Sequence, residues 1–132
     1  PAEYVEIEVT EGVLVKNVHV LERCVNRLHE MGFRVSIDDF GTGYSSLSVL
    51  ADMPADVVKI DKSFINKDMN GKKMDILYEI GRMVKILQKD IIIEGVETEE
   101  QEKLLINGGF TCGQGYLCNK PIPIGEFEKL YL

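Results

Sequence analysis

Strand-like and helix-like segments alternate along this chain, and no other feature constrains its fold as tightly. Tyr4 to Val9, Arg34 to Asp38, Val57 to Ile60, Ile91 to Glu94 and, more weakly, Phe110 to Tyr116 read as strands. Between them, apolar residues recur at helical spacing. Val18, Leu21, Val25 and Leu28 form one stripe that stops at Gly32, a residue able to take the left-handed conformation that closes a helix. Leu47, Leu50 and Met53 form a short second stripe closed by Pro54. A longer third, Leu77, Ile80, Val84 and Leu87, follows an Asn70-Gly71 turn. Thr98 with Gln101 predicts a capping box for a fourth helix ending at Asn107, Gly108 and Gly109, and a last short helix carries Phe127 and Leu130. Strands that alternate with helices imply right-handed crossovers and a parallel sheet, either a barrel or an open doubly wound sheet.

A parallel sheet covered on both faces reads as nearly continuous Val, Ile and Leu. These strands carry acids instead. Because side chains alternate across a strand, Val5, Ile7 and Val9 oppose Glu6 and Glu8, and Val35 and Ile37 oppose Ser36 and Asp38. Val58 and Ile60 likewise oppose Lys59 and Asp61, and Ile91 and Ile93 oppose Glu94. One face therefore meets helices. The other gathers polar groups toward the carboxyl ends of the strands, where parallel α/β folds build their sites.

Composition narrows the function classes. With 45% apolar and 28% charged residues in 132, the chain has the make-up of one soluble globular domain. Uninterrupted apolar runs are too short to span a bilayer, and no charged and apolar leader opens the sequence, so a cytoplasmic location, alone or within a larger signalling protein, is the expectation. The net charge of -7, with acids and bases interspersed, argues against a grip on a DNA or RNA polymer or on an anionic membrane. A phosphate ligand would need bound cations to invert the local field. Cys24, Cys112 and Cys118 show no C-x-x-C spacing and read as reduced thiols; His19 and His29 fall beside a helical stripe and read as solvated or half-buried.

Glu8, Asp38 and Glu94 fall at one level on one face of the strands. Unpaired buried carboxylates each cost on the order of several kcal/mol, so something positive must sit among them. Hard oxygen ligands of this type suit Mg²⁺ or Mn²⁺ better than zinc. The competing reading is an ion-pair network of Lys59 with Asp38 and Asp61 beneath a solvent-filled mouth. Asp38 and Asp39 add a constraint, because strand neighbours share a site only where the strand bends, and Phe40, Gly41, Thr42 and Gly43 are placed to supply the bend. Bridging carboxylates there suit two ions roughly 3.5 to 4 Å apart, an arrangement that clamps both oxygens of an in-line displacement at phosphorus. An ordinary Asp and Gly turn capping a helix from Ser45 is the alternative.

Asp38 to Leu47 (DDFGTGYSSL), Lys59 to Ile65 (KIDKSFI), Glu94 to Thr98 (EGVET) and Gly113 to Pro121 (GQGYLCNKP) resemble, in order and spacing, the motifs of EAL domains, divalent-metal phosphodiesterases for cyclic di-GMP. Glu8 to Glu11 (EVTE) resembles that family's ExTE motif. The resemblance implies a TIM-type (β/α) barrel of which residues 1–132 form about the C-terminal half. It implies that Glu8, Asp38, Asp39 and Glu94 ligate two Mg²⁺ or Mn²⁺ ions, with Asp38 bridging them, and that Lys59 holds and polarises the attacking water. Catalysis then rests on Lys59, Glu94 and Asp38. Glu97 and Gln114 support the metal shell or contact the substrate, and Asp61 orients Lys59. Glu11 anchors the loop from Gly41 to Ser46, which the family uses to couple dimerisation to metal binding; a helix N-terminal acid is the other reading of Glu11. The product would be linear pGpG.

The chain departs from the family in length. Such barrels run to roughly 250 residues, and no Glu-Ala-Leu tripeptide occurs here. The expectation is a piece cut from a longer protein, lacking the strands that bear the signature glutamate and a later asparagine, and inactive by itself. A half barrel also exposes two strand edges, so a homodimer or a complex with the missing N-terminal half is expected. The alternative function is a catalytically silent module that binds cyclic di-GMP or a protein partner.

Overall fold

A computed structural model of the chain describes residues 1–14, 18–43, 47–65 and 71–132. Five parallel strands, β1 (Glu6–Thr10), β2 (Arg34–Phe40), β3 (Val57–Ile60), β4 (Asp90–Glu94) and β5 (Gly113–Gln114), form one sheet in sequence order. Helices occupy the crossovers: α1 (Glu11–Leu14) and α2 (Val18–Glu30), α3 (Leu47–Asp52), α4 (Lys72–Ile86) and α5 (Glu99–Asn107), with α6 (Ile124–Tyr131) after β5. Unbroken sequential order in a parallel sheet is the arc of a (β/α) barrel; an open doubly wound sheet reverses its order part-way.

The expected caps form. Gly32 takes φ 87 after α2, and the Phe33 amide reaches back to the Leu28 carbonyl at 3.0 Å, as a left-handed helix closure requires. Thr98 accepts from the Gln101 amide while the Gln101 side chain accepts from the Thr98 amide, a complete capping box for α5. Asn70 lies outside the described residues, as do Tyr44, Ser45 and Ser46, and with them the helix start expected at Ser45.

Two strand expectations need correction. Ala2–Tyr4 is a 3-10 turn, so β1 starts two residues after the position read from Tyr4. Phe110 does not open a strand, because its amide is held by the Leu105 carbonyl at the end of α5; only Gly113 and Gln114 pair with β4. The stacked Tyr78 and Phe110 rings instead seal α4 against the end of α5.

The core lies between sheet and helices. Val35, Ile37, Val58, Ile60, Ile91 and Ile93 meet Val25, Leu50, Leu77, Val84 and Leu105 from the helices, all nearly inaccessible to water. β3 is buried on both faces, because Val57 and Lys59 on its polar side are covered as fully as Val58 and Ile60. Among the described residues no helix is long and apolar enough to cross a membrane.

Candidate functional site

Lys59 organises the polar face. Its side chain is only 4% exposed, and its Nζ lies 2.5 Å from Glu8 Oε1, 2.8 Å from Glu94 Oε1 and 3.3 Å from Asp38 Oδ1. Burial alone pulls the ammonium toward deprotonation, but the hydrogen bonds to Glu8 and Glu94 and the charges of Glu94 and Asp38 outweigh it and push its pKa above the ordinary lysine value. Lys59 is therefore a fixed cation at neutral pH. Against this single ammonium stand Glu8, Asp38, Asp39 and Glu94, and the cluster stays net negative.

The strand register modifies the expected geometry. Glu8 pairs with Ser36, whereas Asp38 pairs with Thr10, so Glu8 sits one two-residue step below Asp38 rather than level with it. The long lysine side chain spans that stagger. Asp38, Asp39 and Glu94 do converge: each offers a carboxylate oxygen within 4.8 Å of the others. Glu8 is not in that group and joins it through Lys59.

Asp38 and Asp39 share the site through a bend one residue earlier than the Phe40 to Gly43 run expected to supply it. Ile37 pairs with Val58 and Phe40 with Ile60, so two β2 residues, Asp38 and Asp39, face the single β3 residue Lys59. This is a β-bulge, and the bend lies at Asp39 itself, whose φ is 55. The loop beyond is held by Glu11, 3% exposed, whose Oε2 accepts from the amides of Gly41 at 3.0 Å and Gly43 at 2.9 Å.

Asp61, expected to orient Lys59, directs its Oδ1 to the Ser63 amide at 2.8 Å and closes the 3-10 turn Lys62–Ile65; the ion-pair partners of Lys59 are the three carboxylates above. Asp61, Glu97 and Gln114 line, with Asp39, Glu94 and Tyr116, a cleft of ≈ 320 Å³ beside the cluster. Burial and the neighbouring charges of Asp38 and Asp61 make the Asp39 carboxyl hold its proton more readily than usual. A larger, mainly apolar hollow of ≈ 700 Å³ between β5 and α6 touches Gln114 but none of the carboxylates.

The donor set fits a hard divalent cation. All three converging groups are carboxylates, and Asp38 Oδ1 is buried without a hydrogen-bond partner, although Lys59 is within ion-pair distance. Two features are not legible in the sequence. Gln101 caps α5 as expected, yet its Nε2 also donates to the Ile65 carbonyl at 2.9 Å. On the opposite end of the sheet, Asp56 Oδ2 receives His29 Nε2 at 2.9 Å and the Val35 amide at 2.8 Å. Cys24, Cys112 and Cys118 are exposed free thiols.

The EAL domain family model matches residues 1–121. The chain is 39% identical over 127 residues to the cyclic di-GMP phosphodiesterase NbdA of Pseudomonas aeruginosa, covering 96% of this chain and 16% of that protein. The crystal structure of the EAL domain of Mycobacterium smegmatis DcpA superposes with TM-score 0.90 at 37% identity, over 98% of this chain and 59% of that one. The PaMucR phosphodiesterase in complex with c-di-GMP superposes with TM-score 0.88 at 36% identity, over 96% of this chain and 56% of that one. The chain thus spans about a sixth of the curated relative and under two thirds of the solved chains.

Proposed function

The chain belongs to the EAL domain family, and from that membership we propose that it is the C-terminal half of a metal-dependent phosphodiesterase that hydrolyses cyclic di-GMP to linear pGpG. The observation that carries this reading is the convergence of Asp38, Asp39 and Glu94 within 4.8 Å beside a buried Lys59. Relatives named as cyclic di-GMP phosphodiesterases, and a solved complex with that nucleotide, support the substrate.

Asp38, Asp39 and Glu94 would hold Mg²⁺ or Mn²⁺, two ions in the intact domain, with Glu8 contributing from β1. Bound divalent ions lower the pKa of a water and offset the charge of the phosphate oxygens. Lys59, buried beside these carboxylates, would hold and polarise the attacking water as a hydrogen-bond donor. The water oxygen bonds to phosphorus, the bond to one ribose 3′ oxygen breaks, and the water's proton ends on that released hydroxyl. Glu97 and Gln114, lining the cleft, contact the nucleotide or steady the ligands. Glu11 fixes the Gly41 and Gly43 amides, and through them the bulge that carries Asp38 and Asp39.

The matching solved chains extend well beyond the part this chain covers, and we expect the 132 residues alone to be inactive, assembling as a homodimer or with the N-terminal half of the barrel in a cytoplasmic protein. The test is hydrolysis of cyclic di-GMP, with Mg²⁺ or Mn²⁺, by this chain alone and by a complete barrel containing it. Turnover by the complete barrel that Asp38→Asn abolishes supports the reading. Nucleotide binding without turnover points to a silent module, and turnover by the 132 residues alone overturns the expectation of inactivity.

A further inference from the structure

The capping box of α5 does more than end a helix. Gln101 Oε1 accepts from the Glu97 amide at 2.7 Å and the Thr98 amide at 3.0 Å, fixing the loop that follows β4. Its Nε2, on the other side of the same side-chain amide, donates to the Ile65 carbonyl at 2.9 Å, the last residue of the turn that follows β3. A helix cap needs only the first set of bonds. The second ties together two loops that each deliver an acid to the cleft, Glu97 from one and Asp61 from the other.

The packing around this tie has no slack. A Cβ on Gly95 would collide with Lys62 Cβ, so the β4 loop lies directly on the β3 turn. Within that turn the Phe64 ring presses on Gly41 in the same way, and Gly41 is the residue whose amide Glu11 holds. Gly41 after β2, the Lys62–Ile65 turn after β3 and Gly95 after β4 therefore pack in one continuous row, and Gln101 is its polar fastening on the β4 side.

We propose that Gln101 is a positioning residue that locks the loops bearing Asp61 and Glu97 to each other at the mouth of the acidic cleft. Its effect on cation binding rests on the metal-dependent reading above; its mechanical role does not.

Gln101→Glu separates the two functions of the side chain. Glutamate is an equally good capping-box residue, since its oxygens accept from the Glu97 and Thr98 amides. It has no hydrogen to give the Ile65 carbonyl, and it sets a negative oxygen against that carbonyl. In the full chain, amide hydrogen exchange measured by NMR should quicken about fivefold at Ser63 and Phe64, the loss of one net hydrogen bond, while the Leu104 and Leu105 amides inside α5 keep their protection. Mn²⁺ affinity, measured by titration calorimetry, should fall by a similar factor; Gln101→Met, which loses both sets of bonds, should lose protection in α5 as well. Unchanged exchange at Ser63 and Phe64 in Gln101→Glu overturns the lock whatever the metal does. Loosened exchange with unchanged Mn²⁺ binding overturns the positioning of the cleft. If the parent chain binds no Mn²⁺, the metal reading fails on its own account and the exchange result alone decides the lock.

Discussion

Asp39 follows Asp38 on β2 with its backbone at φ 55, so the two neighbouring carboxylates face one position, Lys59, on the next strand instead of opposite sides of the sheet. For a residue with a Cβ this conformation costs roughly 1–2 kcal/mol relative to ordinary backbone, and aspartate is among the few that adopt it. The conformation sits at the bulge that turns both carboxylates toward Lys59, and backbone strain of this kind clusters at functional sites.

Substitutions at Asp39 should separate backbone from ligand. Glycine adopts φ 55 freely, so Asp39→Gly is expected to leave the thermal unfolding midpoint unchanged or slightly raised, while Asp39→Val loses roughly 1–2 kcal/mol. Both remove the carboxylate, and Mn²⁺ affinity should fall at least about tenfold in each. Titration calorimetry beside thermal unfolding checks this; a glycine variant that binds Mn²⁺ like the parent would show that Asp39 is not a ligand.

Lys59 is the sole counter-charge of Glu8, Asp38 and Glu94 among the described residues. Removing one partner of a dry pair costs about 3–5 kcal/mol; Glu8 is half exposed and water recovers part of its loss, so Lys59→Met should lose about 3 kcal/mol in urea unfolding. Saturating Mn²⁺ should restore stability more in this variant than in the parent, because the cation replaces the missing charge. The raised pKa fixes the sign of the alkaline limb: the stabilisation is full below pH 10.5 and is lost only as pH climbs beyond that value.

Among the described residues, the buried Glu11 accepts from the Gly41 and Gly43 amides through its Oε2. Charge-assisted bonds of this type are worth roughly 1.5–3 kcal/mol each when a donor is stranded, and some of that is recovered where the loop meets water. Glu11→Ala is expected to destabilise by about 2 kcal/mol and to speed amide exchange at Gly41 and Gly43. Glu11→Gln retains an acceptor and should lose about half as much. Equal unfolding curves for parent and alanine variant would remove the anchoring role.

What the sequence disclosed and what it concealed divide along a physical line. The closure at Gly32, the Thr98 and Gln101 box and the acid-bearing strand face are local patterns, set by residues a few positions apart, and they formed as read. The bulge at Asp38 and Asp39 belongs to the pairing of β2 with β3, which no single strand encodes. The stagger of Glu8 against Asp38 has the same origin. Register likewise places the apolar Ile92 opposite Lys59 on the polar face, a neighbour that neither strand names by itself. Phe110 looked like a strand residue by composition, and only its bond to Leu105 reveals a helix end.

The last prediction concerns acid, where two aspartates pull in opposite directions. At Asp56, burial raises the pKa, but the Val35 amide and His29 outweigh it, so the carboxyl lies below the ordinary value of 3.8. Its stabilisation is present above pH 3.8 and is lost as pH falls through the lower folded value. Asp39 is shifted the other way, raised above 3.8 by burial and by Asp38 and Asp61; the folded chain holds that proton, so this contribution is present in acid and is lost as pH rises past 3.8. Asp56→Asn should therefore flatten the acid limb of a stability profile, and Asp39→Asn should raise stability near neutrality relative to the parent while leaving the acid limb in place. Urea unfolding from pH 3 upward, without divalent ions, measures both. Identical profiles for Asp56→Asn and parent would mean that the His29 and Val35 bonds are not maintained in solution.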